Sequence, residues 1–119
     1  MERLDFRLRK ASLVDHDAAK AKTEAMLKDL WRRKLPMVRE HLHILTLASE
    51  LINSATLTSP LRSEAAISAH KLAGSLGMFG YPEGTRLARE MEHLLDAEGT
   101  PPPDTFASLL RQLQQALPV

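Results

Sequence analysis

Apolar residues recur at intervals of three and four along most of this chain, and that spacing leaves room for little besides packed helices. Leu61, Ala65, Leu72, Leu76 and Phe79 stand four, seven, four and three positions apart. At about 100° per residue they form one stripe on a helix. Leu27, Leu30, Trp31, Leu35, Val38, Leu42, Leu45, Ala48 and Ile52 form a second, Leu87, Met91, Leu94 and Leu95 a third, and Phe106, Leu109, Leu110, Leu113 and Leu117 a fourth. The fold expected is all-α, an antiparallel up-and-down four-helix bundle with a kinked or split long N-terminal helix.

Punctuation between the stripes sets the boundaries. The first helix is expected from about Asp17, capped by Asp15 or Asp17. Pro36 interrupts it, yet the stripe stays in phase across the proline, so the segment is one helix kinked near Lys34–Pro36 or two helices meeting there. Ser59-Pro60 starts the second, since serine caps and proline tolerates the first turn. It runs from about Pro60 to Phe79, and Gly80-Tyr81-Pro82 turns into a helix from about Pro82 to Glu98, ended by Gly99. Thr100-Pro101-Pro102-Pro103-Asp104 is a stiff connector to a last helix, about Pro103 to Ala116. Leu4, Phe6 and Leu8 alternate with charged residues, but a lone strand has no partner. Residues 1–14 are therefore expected to be a flexible arm or linker, with residues 15–119 forming the bundle; a docking or dimer-forming tail is the alternative.

Composition removes several kinds of function. With 119 residues the chain makes one domain, and a net charge of +1 gives no global field toward nucleic acid or membrane. Cysteine is absent, which excludes disulfides, thiol catalysis and thiolate metal sites and fits a reducing cytoplasm. No apolar run approaches the roughly 18 residues of a membrane span, and the charged first residues do not suit a secretory signal. Arg32-Arg33-Lys34 lacks accompanying aromatics and reads as a solvated face.

Chemistry concentrates between Ala69 and Gly80. The residues sharing the helix side of His70 are Ser63, Ala66, Ile67, Ala73, Gly74 and Gly77, a face stripped of bulk. Each interior glycine costs a helix roughly 1 kcal/mol relative to alanine. Either a neighbouring helix of the chain packs closely on Gly74 and Gly77, or something large approaches the imidazole from outside. Turn symmetry then finds a partner for the ring. His70 lies eleven residues before Tyr81 and Glu92 eleven after it, so an antiparallel pair puts the two at one height. A carboxylate on Nδ1–H fixes the tautomer and leaves the Nε2 lone pair free and more basic, as a nucleophile to phosphorus requires.

The run His70-Lys71-Leu72-Ala73-Gly74-Ser75-Leu76-Gly77-Met78-Phe79-Gly80, followed by Leu87-Ala88-Arg89-Glu90-Met91-Glu92-His93-Leu94-Leu95, resembles the histidine phosphotransfer (HPt) domains of multistep two-component phosphorelays. The resemblance covers Leu27 to about Leu117. It implies that His70 accepts a phosphoryl group, that Glu92 orients the ring, and that Lys71 and Arg89 supply phosphoryl electrostatics. Arg89, one turn from Glu92, should lie on the same edge. Many family members carry lysine where this chain has Ala73. Ala66, Ile67, Ala73, Gly74 and Gly77 become the partner-binding face, with Gly74 the small position over which a receiver domain closes. The implied partners are response-regulator receiver domains and an upstream histidine kinase, with no nucleic acid, no membrane and a monomeric chain. No cofactor or metal is expected in the chain itself; Mg²⁺ belongs to the partner receiver. Such a module is a phosphocarrier rather than an enzyme.

Competing readings are a helical adaptor of the same fold that has lost phosphotransfer, and a nucleic-acid-binding bundle. No P-loop or kinase ATP motif is present, and Gly74-x-x-Gly77-x-x-Gly80 follows a helix rather than a strand, unlike a dinucleotide loop. His41 and His43 point about 200° apart on a helix and cannot share a metal; with His16 and His93 they read as structural or solvated.

Overall fold

The computed structural model describes the backbone from Glu2 onward and the side chains from Asp17 onward. Four helices follow one another: α1 Glu2–Asn53, α2 Ser59–Met78, α3 Pro82–Asp96 and α4 Pro103–Ala116. No strand occurs among the described residues. The chain divides into two compact units, Met1–Lys34 and Leu35–Val119.

In the first unit α1 begins at Glu2 rather than near Asp17, so Asp15 and Asp17 lie inside the helix rather than at its start. The expected arm over residues 1–14 lies outside the residues whose side chains are described. Leu27 and Leu30, the first members of the α1 stripe, are 37% and 40% exposed. A single helix cannot cover its own apolar stripe, and this unit contains no second element to do so.

The second unit is a four-helix bundle built from Leu35–Asn53 of α1 with α2, α3 and α4. Pro36 sits inside α1 without splitting it. The proline is exposed, where water can satisfy the carbonyl that its missing N–H leaves free. Contacts fix the topology. Arg62 meets the Leu95 carbonyl, His70 meets Glu92, and Thr85 meets the Ala73 carbonyl, so ascending α2 runs against descending α3. His41 of α1 meets Ser68, while Leu51 and Ile52 share a cleft with Arg62 and with Thr100 and Pro101. Arg39, Leu42 and Thr46 share a groove with Gln114 and Val119. A Cβ placed on Gly84 would meet Leu117, which closes the ring between α3 and α4.

Leu45, Ile52, Leu72, Leu76, Leu87, Met91, Phe106 and Leu113 form the buried centre, each worth about 1.5–3 kcal/mol in water exclusion. Helix ends depart from expectation in two places. Thr58, not Ser59, caps α2, its hydroxyl accepting from the Leu61 N–H. α3 stops at Asp96, short of Glu98, and Gly99 (φ +81°) turns the connector instead of ending the helix. There the Arg62 guanidinium donates to the carbonyls of Leu95, Ala97 and Gly99, acceptors that the helix end leaves without intrahelical partners. Between α2 and α3, Gly80 adopts φ +85° and the Tyr81 N–H returns to the Leu76 carbonyl, a glycine-dependent helix end.

Candidate functional site

Two buried stripes orient the site. Leu72 and Leu76 pin one face of α2 into the core, and Leu87, Met91 and Leu95 do the same for α3. With those faces fixed, His70 turns outward and Glu92 lands in the seam between the helices. The His70 side chain is 76% exposed and that of Glu92 21%. His70 Nδ1 lies 3.0 Å from Glu92 Oε1 and 3.3 Å from Oε2. A carboxylate only accepts, so Nδ1 carries the proton and donates it, which leaves Nε2 with its lone pair. An exposed imidazole with a fixed tautomer is suited to attack an electrophile brought from outside.

A shallow cleft of about 230 Å³ surrounds the ring, lined by Ala66, Ile67, His70, Lys71, Glu92 and Asp96. Lys71 therefore stands in the same cleft as His70, as expected. Arg89 does not. It lines a separate groove of about 420 Å³ with Gly77, Thr85, Arg86, Glu90 and His93. There Arg86 is tied to Glu83 and Glu90, and its hydrogen bond holds the Glu83 carboxyl below the usual range.

The small residues of α2 divide into three cases. A Cβ on Gly74 would meet nothing within 4 Å, so among the described residues no neighbouring helix needs that glycine. A Cβ on Gly77 would come 3.2 Å from Thr85 Oγ1, so this glycine serves the packing of α2 on α3. Ala73, expected on the partner-binding face, is buried at 5% exposure, and its carbonyl accepts from the Thr85 hydroxyl. The α2–α3 seam reaches further round α2 than a single-helix projection shows. Ile67 is 55% exposed and Ala66 half-buried, both beside the ring. Sequence reasoning passed over Asp96, although it lies four residues after Glu92 and so on the same helix face.

Among the other histidines, His43 and His93 are exposed and His41 is half-buried against Ser68. His16 lies outside the residues whose side chains are described.

Comparison with known proteins follows the same lines. The family profile described as Hpt domain matches residues 29–118. Protein RcaC of Microchaete diplosiphon is similar over 93 residues at 32% identity, a stretch that covers 78% of this chain and 14% of that protein. The chain thus spans a small part of that relative's length. No solved structure matches the chain.

Proposed function

The chain belongs to the Hpt domain family, and we propose that His70 is its phosphoacceptor, carrying a phosphoryl group between receiver-domain aspartates in a two-component phosphorelay. The observation that carries this reading is the 3.0 Å contact of His70 Nδ1 with Glu92 beneath a largely exposed ring. A docked receiver presents an aspartyl phosphate, with its own Mg²⁺ neutralising charge on the phosphoryl oxygens. Nε2 attacks phosphorus in line, the N–P bond forms, and the aspartate carboxylate leaves with the electrons of the broken P–O bond. The reverse attack by a second receiver's aspartate returns Nε2 to its free state.

Phosphoryl transfer asks chiefly for positioning and electrostatics. Glu92 supplies the first by holding the ring, and it stabilises the positive charge that the imidazole gains. Lys71, in the same cleft, is the cation nearest in role to the missing lysine at Ala73. Arg89 lines a second groove rather than the cleft around His70. Gly74 leaves α2 open to close approach. The module acts as a phosphocarrier, with an upstream histidine kinase as the first source of phosphate. We place it in the cytoplasm as a monomer; no helix among the described residues is long and apolar enough to cross a membrane.

The test is transfer of radiolabelled phosphate from a phosphorylated receiver domain. Label reaching the wild type and not His70→Gln supports the reading. Receiver binding with no label on the wild type turns it into a helical adaptor.

A further inference from the structure

We infer that His41 and Ser68 form an acid-sensitive latch that holds α1 against α2 in the bundle. Ser68 is a buried polar side chain at 2% exposure, and its Oγ lies 3.2 Å from His41 Nδ1. The other ring nitrogen, Nε2, is buried without a hydrogen-bond partner among the described residues. A buried N–H lacking an acceptor costs more than a bare lone pair. The neutral ring therefore carries its proton on Nδ1, donates it to Ser68 Oγ and keeps Nε2 unprotonated.

Acid changes that arrangement. A proton from solvent binds the Nε2 lone pair, forming an N–H bond where no acceptor waits and placing a positive charge between two helices. The charged groups acting on the ring are Glu40 from α1, which favours the charge, and Lys71 from α2, which opposes it. Burial and Lys71 outweigh Glu40, so the folded chain keeps this imidazole neutral below its ordinary range.

The direction of the pH effect follows. Above about pH 6.5 the ring is neutral in both folded and unfolded chains and the latch is intact. As pH falls through that value the unfolded chain takes up a proton that the folded chain refuses, and unfolding gains. Each unit of separation between the two values raises the unfolding constant up to about tenfold. On α2, Ser68 and His70 point about 200° apart. The charge that acid places on His41 therefore loosens α1 on the flank away from the His70–Glu92 pair, and the inference stands independently of phosphotransfer.

Two measurements on the full chain test it. One follows the histidine ring protons by NMR from pH 8 to 5; the other compares urea unfolding at pH 7.5 and 5.5 for the wild type, His41→Gln and, as an exposed control, His43→Gln. His41 is expected to titrate below the ordinary histidine value. His41→Gln is expected to lose part of the acid destabilisation that the wild type and His43→Gln share. Ser68→Ala is expected to move the His41 titration lower still, because an acceptor of its N–H is gone. His41 titrating at or above the ordinary value overturns the proposal, as does an unchanged acid response in His41→Gln or an upward move in Ser68→Ala. Should His41→Gln fail to fold, the titration of the intact chain decides alone.

Discussion

His70 and Glu92 meet across 3.0 Å although 22 residues separate them. Both stand equally far from Tyr81, in a turn that sends α3 back along α2. An antiparallel pair with equal rise per residue brings such positions to one height. The contact is thus a property of the hairpin, and the tautomer of His70 follows from the turn.

Removing the carboxylate is expected to free the ring to rotate and exchange tautomers. A hydrogen bond to a charged group is worth about 1.5–3 kcal/mol, so Glu92→Ala should slow transfer from a receiver about tenfold to a hundredfold. Glu92→Gln retains an acceptor oxygen and should fall between. Single-turnover transfer rates at saturating receiver measure this, with circular dichroism expected to show an unchanged fold.

The two glycines of α2 should respond differently. Gly74→Ala meets open space and is expected to raise stability by up to about 1 kcal/mol through helix propensity. Gly77→Ala must displace the Thr85 hydroxyl, 3.2 Å away, and should gain less or lose. Gly74→Leu should fold well yet transfer poorly, since its side chain stands where a receiver would approach. Urea denaturation and transfer assays on the three variants give both readouts.

Arg62 ties the start of α2 to the end of α3 through the carbonyls of Leu95, Ala97 and Gly99. The side chain is partly exposed, so Arg62→Met is expected to cost about 1–3 kcal/mol rather than the full sum of three charged bonds. Arg62→Lys should restore little, because an ammonium cannot reproduce the planar fork. Chemical denaturation of the two variants tests the claim.

Ala55 closes α1 with φ +57°, while the Thr56 N–H bonds the Leu51 carbonyl. An alanine held left-handed costs roughly 1–2 kcal/mol, whereas glycine takes that conformation freely at some cost in chain entropy. Ala55→Gly is therefore expected to stabilise the chain by about 1 kcal/mol or less, seen as a rise in the urea midpoint with an unchanged slope.

Local spacing in the chain was enough to place the helices and the height at which His70 meets Glu92. The stripe Phe106, Leu109, Leu110, Leu113 and Leu117 is buried throughout, because three-and-four periodicity is a property of one helix and is visible locally. The level of His70 and Glu92 followed from counting residues about a turn. Tertiary structure alone decided how each helix is rotated against its neighbours. That rotation buried Ala73, left Gly74 open while packing Gly77, moved Arg89 out of the His70 cleft, and set His41 on Ser68. Leu27 and Leu30 are exposed because their unit holds no second element among the described residues, and Arg62 reaches the carbonyls at and beyond the end of α3. A helical projection says which residues share a face; what covers that face depends on contacts between segments far apart in the chain, and these no local spacing encodes.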